Sequence, residues 1–244
     1  MPDLLRTLLA PVLLVQGKRM FARMPRLDAP ASLAPGPRGE GPRLHLLVVG
    51  DSSAAGYGAD RQEDALLGQL VARLAASRTV TWTHFARFGS TVPKTAAFVA
   101  KQPPTAVDLA VVSVGLNDVI AGADLGAWLD GYRSLVADLQ TRFAAITVVV
   151  SGLAPVGGFP ALPQPMRFVI ARQRDRFDAA LKAWADAAPG VVYVPTGASD
   201  DGPLREGAVT VSEVMAADGF HPGPRVYAEW ARRAVAAWDA DSRA

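Results

Sequence analysis

Residues 47–58 read Leu-Val-Val-Gly-Asp-Ser-Ser-Ala-Ala-Gly-Tyr-Gly, and the fold is best worked out from this stretch. Its apolar run has the character of a buried strand and ends abruptly at Gly50-Asp51-Ser52. The small residues and glycines that follow predict a tight turn. Either the turn simply requires small residues, or it holds the Ser52 hydroxyl at the end of a strand for chemistry.

From residue 44 onward, short β-branched runs alternate with longer segments of helical periodicity. The strand candidates are 44–49, 79–86, 108–114, 145–151 and 191–195, and the helix candidates are 62–77, 92–101, 124–142, 167–188 and 224–240. Several strand runs are apolar throughout, as expected where helices cover both faces of a sheet. The alternation predicts an α/β fold, a three-layer α/β/α sandwich with a five-stranded parallel sheet in the flavodoxin-like order 2-1-3-4-5.

The chain has 244 residues, of which 50% are hydrophobic, and this is enough for one full core. We divide it into an N-terminal amphipathic helical segment, a Pro/Gly-rich linker and an α/β domain, at residues 1–26, 27–43 and 44–244. The apolar part of residues 1–26 is too short to span a bilayer. Three alternatives stay open for it: a helix packed on the domain, a basic helix in peripheral contact with an anionic membrane, or a secretory signal. We expect a cytoplasmic or membrane-peripheral location rather than secretion, and the sequence assigns no oligomeric state.

Composition excludes several classes of function. The formal net charge is +2, and the excess is local, because residues 1–43 hold seven Lys/Arg against three Asp/Glu. No nucleic-acid partner is therefore expected. The chain has no cysteine, which excludes disulfides and thiolate chemistry, and its three histidines include no pair at i, i+4. No metal site is predicted, and no cofactor is expected, since the chain has neither a Walker A loop nor a complete Gly-x-Gly-x-x-Gly motif.

Polar blocks occupy the predicted strand ends, where open α/β sheets bind their ligands. They are Gly50-Asp51-Ser52, Phe88-Gly89-Ser90, Gly115-Leu116-Asn117-Asp118 and Asp218-Gly219-Phe220-His221. A serine hydrolase needs a nucleophile, a base and a group that orients the base, and Ser52, His221 and Asp218 can fill these roles. It also needs donors for an oxyanion, which the Ser52 N–H, the Gly89 N–H and the Asn117 amide can supply.

These four blocks, in this order, resemble those of the SGNH (GDSL-type) hydrolases over about residues 44–238. GDSSAAGYG corresponds to the nucleophile block, GLND to the Gly-x-Asn-Asp block and DGFHP to the Asp-x-x-His block. The glycine block RFGSTVPKT departs from the family pattern, because it lacks the Asn often found just before the glycine. The resemblance implies an SGNH-type fold and the roles given above to Ser52, His221, Asp218, Gly89 and Asn117, without a metal.

The expected function is hydrolysis of carboxylic esters, on a small-molecule or lipid substrate, through an acyl-enzyme on Ser52. The same residues would also serve an acyltransferase, a carbohydrate deacetylase or a membrane-surface lysophospholipase or thioesterase, and a binding module that has lost its chemistry is a further alternative. The Pro-rich segment after the fourth strand is either a stiff ordered loop or a wall of the acyl pocket. In the second interpretation Phe159, Leu162 and Met166 would line the substrate pocket.

Overall fold

The computed structural model describes residues 4–196 and 214–242. Within these ranges the strands form a five-stranded sheet in the order β2-β1-β3-β4-β5, and all four pairings are parallel. The strands are β1 (Arg43–Gly50), β2 (Thr79–Ala86), β3 (Leu109–Ser113), β4 (Thr147–Ser151) and β5 (Val191–Val194). The α/β class and the strand order predicted from the sequence are both confirmed.

The helices of the described ranges flank this sheet. They are α1 (Leu4–Arg23), α2 (Ser52–Ala55), α3 (Leu66–Leu74), α4 (Val92–Val99), α5 (Leu116–Ala121), α6 (Leu125–Arg142), α7 (Met166–Ala185) and α8 (Pro224–Asp241). The predicted helix at 62–77 is interrupted at Ala65, which separates a 3₁₀ turn (Gln62–Asp64) from α3. Helices α2 and α5 were not predicted, because four or six residues are too few to show helical periodicity.

Successive side chains of β1 point to opposite faces of the sheet, and this alternation explains the three layers. Leu46 and Val48 point to the face covered by α3 and α8, whereas Leu47 and Val49 point to the face covered by α4, α6 and α7. All four side chains are fully buried. A strand with apolar residues at both alternate positions needs a helical layer over each face, which this sandwich supplies.

The centre of the sheet edge is tightly packed. Gly50 of β1 is in register with Ser113 of β3, and a Cβ at position 50 would collide with the Ser113 carbonyl oxygen. Glycine at this position therefore lets the turn after β1 lie directly against the end of β3. This is the point between the first and third strands where the strand order reverses.

Helix α1 packs on the domain with one face. The Arg6 guanidinium donates to the carbonyls of Val119 and Ile120, at 3.0 and 3.1 Å, and the Gln16 amide donates to the carbonyl of Gln164 at 2.6 Å. In the described part of the chain, no helix is both long and apolar enough to cross a membrane.

The segment between α1 and β1 also contacts the domain. Arg38 forms an isolated antiparallel bridge with Val80, at the outer strand β2. Leu33 packs against the cluster of apolar side chains between the sheet and helices α3 and α8. The predicted linker therefore lies along the surface of the α/β domain.

Candidate active site

Ser52 is the first residue of α2, immediately after the end of β1. Asp51 caps this short helix, since its Oδ1 accepts a hydrogen bond from the Ser53 N–H at 3.0 Å. Gly56 ends the helix in the left-handed conformation, with φ of +92°. The strand on one side and the capped turn on the other fix the direction of the Ser52 side chain, which is buried except for 7% of its surface.

His221 lies next to this serine although 169 positions separate the two residues. The Ser52 Oγ is 2.9 Å from Nε2 of His221, and Nδ1 of the same ring is 2.5 Å from Oδ2 of Asp218. The Asp218 carboxylate accepts a hydrogen bond from the Nδ1–H group, so the tautomer that satisfies both contacts leaves Nε2 as an acceptor for the serine O–H. The structure therefore brings the three predicted residues into one hydrogen-bonded chain.

The loop around Asp218 is built to hold its carboxylate. The backbone N–H groups of Phe220 and His221 both donate to Oδ1 at 3.0 Å, which leaves Oδ2 for the imidazole. Burial by itself raises the pKa of Asp218, but the hydrogen bonds from the His221 ring and from the two backbone groups outweigh burial and lower the pKa below its ordinary value. Asp218 is therefore ionised over the whole neutral range.

Aromatic rings surround the imidazole. The ring centroids of Phe220, Tyr57 and Phe88 lie 5.3, 5.7 and 6.0 Å from that of His221. Packing against these rings restricts rotation of the imidazole. Tyr57 and Phe88 were not predicted as site residues, because nothing in their local sequence indicates contact with a histidine so distant along the chain.

The predicted oxyanion donors come from three neighbouring loops. Asn117 lies in α5, after β3, and lines the same cavity as Ser52. Gly89 has a φ of +65° in the loop after β2. Within the described residues, the N–H groups of Ser52 and Gly89 donate to no protein acceptor. The two backbone N–H groups are thus available at the carboxyl edge of the sheet, whereas the Asn117 amide already donates to the Ser90 carbonyl.

Two further carboxylates lie beneath these loops. Both oxygens of Asp118 accept from the Val92 N–H, at 3.0 and 3.2 Å, and burial raises the pKa of Asp118 to about 6. Burial likewise raises the pKa of Asp51 to about 7. We assign both residues to positioning, because each bonds to backbone or side-chain donors that shape the loops of the site.

A cavity of about 400 Å³ opens at Ser52 and Asn117. Most of its lining is apolar and comes from the loop after β4 and from α8: Leu153, Pro155, Val156, Phe159, Val226 and Trp230. Its volume is within the range of small-molecule sites.

The three residues predicted to form the pocket differ in position. Phe159 lines this cavity, whereas Leu162 and Met166 do not. Leu162 is fully buried in the core, and Met166 faces α1, where its methyl carbon approaches Gly17. Their apolar character reflects packing between α1, α7 and the loop. The prediction that Leu162 and Met166 line the substrate pocket is therefore wrong.

One wall of the cavity is held by a network that the sequence did not reveal. Asp178 of α7 accepts from the Leu153 N–H at 2.7 Å and from the Tyr193 hydroxyl at 2.9 Å. The Arg174 guanidinium donates to the Leu153 carbonyl at 2.7 Å and pairs with Asp178. Both backbone groups of Leu153 are thereby fixed by one turn of α7.

A second hollow, of about 300 Å³, also reaches His221. Its lining combines Tyr57, Phe88 and Asp218 with the end of α1 and residues 24–28. Among the described residues, no group of three or more His, Cys, Asp or Glu side chains could hold a metal ion.

The fold and the site define a class: a three-layer α/β protein that presents a hydrogen-bonded Ser–His–Asp chain at the carboxyl edge of a parallel sheet. A family model described as the GDSL-like lipase/acylhydrolase family matches residues 48–229. A GDSL-like esterase of Mycobacterium tuberculosis is 34% identical in an alignment of 225 residues that covers 86% of this chain and 68% of that protein. The chain therefore belongs to the GDSL-like lipase/acylhydrolase family, which acts on esters, and the SGNH resemblance is confirmed.

Solved structures share the fold at low sequence identity. The acetylxylan esterase Axe2 of Geobacillus stearothermophilus is 22% identical with a TM-score of 0.58, over 79% of this chain and 93% of that one. The esterase EstA of Pseudoalteromonas sp., solved with monoethylphosphonate as inhibitor, is 16% identical with a TM-score of 0.56, over 82% of this chain and 99% of that one.

Proposed function

We propose that this protein is a metal-free serine esterase that hydrolyses carboxylic esters through an acyl-enzyme on Ser52. One observation carries the proposal: the 2.9 Å contact between Ser52 Oγ and Nε2 of a histidine whose other nitrogen is bound to a buried carboxylate. This arrangement supplies an attacking oxygen, a base for its proton and a charge that stabilises the imidazolium.

The reaction runs in two halves. Ser52 Oγ forms a bond to the acyl carbon while His221 Nε2 takes the hydroxyl proton, and the carbonyl oxygen gains a negative charge. Donors from Ser52, Gly89 and Asn117 stabilise this oxyanion, which then collapses as the C–O bond breaks and His221 gives its proton to the departing alcohol. Water repeats the sequence on the acyl-enzyme, gives a proton to His221, and releases the acid with Ser52 protonated again.

The cavity favours an apolar acyl group. Its lining includes the polar residues Asp51, Ser52, Ser53, Ser113, Asn117, Asp175 and Thr196, but most of the lining surface is apolar. Burial of each methylene of an acyl chain in such a lining contributes about 0.8 kcal/mol. We assign the acyl group of the substrate to this cavity.

Transfer of the acyl group to an alcohol is the second candidate. The second hollow beside His221 favours it, because a hydroxyl entering there would meet the same base as water does. Product analysis with and without an added alcohol separates the two reactions, since only transfer yields a new ester.

Labelling with a reactive phosphonate ester tests the proposal. The reagent phosphonylates an activated serine and displaces its leaving group, so intact mass should rise by one phosphonyl group in the wild type and peptide mapping should place it on Ser52. Ser53→Ala is the matched control, because Ser53 is adjacent in sequence but its side chain hydrogen-bonds to Tyr227. The Ser53→Ala variant should still be labelled. Labelling of Ser52→Ala at the wild-type rate would exclude the mechanism.

A further inference from the structure

Helix α1 carries large apolar side chains on its outward side as well as on the side that the domain covers. On the inward face, Met20 is buried, and Leu13 and Met24 pack against the core. On the outward side five large apolar side chains remain 45–70% exposed: Leu8, Val12, Leu14, Val15 and Phe21. We call these five residues the outer face of α1.

Exposed apolar side chains of this size are concentrated on one side of the molecule. Besides the outer face, the described residues include only three others: Phe168, Phe88 and Ile146. Phe168 lies in the first turn of α7, the helix on which α1 packs, and Phe88 lies beside His221. Ile146 alone stands at the opposite edge of the sheet, just before β4 begins. A grouping of this kind marks an interaction surface.

The same side of the molecule is basic. Lys18, Arg19 and Arg23 lie in the second half of α1 and Arg26 follows it, all four exposed. The described residues offer none of these four cations an ion pair, and α1 from Leu4 to Arg23 contains no acidic residue. Apolar side chains beside exposed cations fit the boundary between the acyl chains and the anionic headgroups of a bilayer.

This surface continues into the mouth of the active site. Phe21 of the outer face and Phe88 both line the second hollow, and His221 forms part of the same lining. The hollow that reaches the catalytic base therefore opens beside the apolar and basic surface.

We propose that the outer face of α1, with Lys18, Arg19, Arg23 and Arg26, docks this protein on an anionic phospholipid surface with the site mouth toward the lipid. A second copy of the chain is a less favourable partner for this surface, because a two-fold interface would place these cations opposite the same cations of the other copy. The docking does not depend on the reaction proposed for Ser52, so an experiment that contradicts one proposal does not contradict the other.

Vesicle co-sedimentation of the full chain tests the docking. The probes are vesicles of phosphatidylcholine alone and of phosphatidylcholine with phosphatidylglycerol. The test variant is Leu8→Gln with Leu14→Gln, which removes two exposed apolar side chains and keeps good helix formers. Ile146→Gln is the matched control, since its side chain is 73% exposed at the opposite edge of the sheet.

We expect the wild type and Ile146→Gln to bind the anionic vesicles, and the double variant to bind at least about tenfold more weakly. Binding should weaken as salt is added, because exposed cations are screened. Unchanged melting temperatures will show that the variants remain folded. Absence of wild-type binding, equal binding of the double variant, or light scattering that reveals a dimer dissociated by the double substitution would each overturn the proposal.

Discussion

The side-chain amide of Asn117 donates to the backbone carbonyl of Ser90 at 2.9 Å, and this bond joins the loops that follow β3 and β2. The same nitrogen is 3.5 Å from Oδ2 of Asp51, the limit of hydrogen bonding. One N–H of the amide is therefore fixed in direction by Ser90, whereas the other has only the long contact to Asp51, which a developing oxyanion could replace under the proposed mechanism. The contact that orients this donor thus lies in the protein backbone and is present before substrate arrives.

Replacement of Asn117 should slow the reaction without unfolding the protein. We expect Asn117→Ala to lower kcat on a soluble aryl ester by about 10²–10³, the usual loss for one oxyanion donor. Asn117→Asp should be slower still, because it places an acceptor where both the Ser90 carbonyl and the oxyanion need a donor. An Asp variant as active as the wild type would show that this side chain does not contact the oxyanion.

Asp218→Asn should lower kcat by about 10⁴ while the loop keeps its shape. Its Oδ1 can still accept from the two backbone N–H groups, but the amide NH₂ that faces Nδ1 donates a hydrogen bond to it, which favours the tautomer with the ring proton on Nε2. The imidazole then cannot accept from Ser52. Both kcat and the rate of phosphonate labelling should decrease. Labelling at the wild-type rate would contradict this role for the carboxylate.

The raised pKa of Asp51 predicts a dependence of stability on pH. Burial lifts its pKa to about 7 in the folded state, above the ordinary value of 3.8, so folding favours the protonated form. Its contribution to stability is complete below pH 3.8 and is lost as pH rises through 7. Asp51→Asn, which stays neutral and keeps an oxygen for the Ser53 N–H, should gain a few kcal/mol relative to the wild type between about pH 4 and 8. Urea unfolding across this range measures the gain. If the free energies of unfolding of the wild type and Asp51→Asn change with pH in parallel, the prediction is wrong.

Gly89→Ala isolates the cost of a backbone conformation. The residue has a φ of +65°, and a Cβ there would meet no atom within 4 Å, so strain alone should destabilise the fold, by about 1–2 kcal/mol. Gly115→Ala is the comparison, because φ is +130° there and a Cβ would lie 2.9 Å from both Leu153 and Trp128. Urea unfolding should show the larger loss at position 115, and an equal loss at both positions would contradict the steric argument.

The sequence revealed the parts of the site that lie in short polar blocks at strand ends. Ser52, Asn117 and His221 could be found because strand–helix alternation predicts the sheet edge, and the edge brings distant loops together. The resemblance to a known family implied the same roles that the residue chemistry had suggested. Alternation indicated a parallel sheet, and the flavodoxin-like order expected for it is confirmed.

Contacts that depend on side-chain direction could not be predicted. Asp178 holds the loop at Leu153 from 25 positions away, and no local pattern marks such a pair. In the Pro-rich loop, composition does not determine which apolar residue faces the cavity. Phe159 does so, whereas Leu162 turns into the core.

The cavity lining predicts how acyl preference can be changed. Ala171 of α7 lines the cavity and approaches Gly157, so Ala171→Phe would fill part of its volume. We expect kcat/KM for an octanoyl ester to fall at least about tenfold relative to an acetyl ester, because several methylenes of the octanoyl chain would no longer fit in the cavity. Ala179→Phe, on the exposed side of the same helix, should leave the ratio unchanged. If Ala171→Phe also leaves the ratio of the two esters unchanged, the acyl group binds outside this cavity.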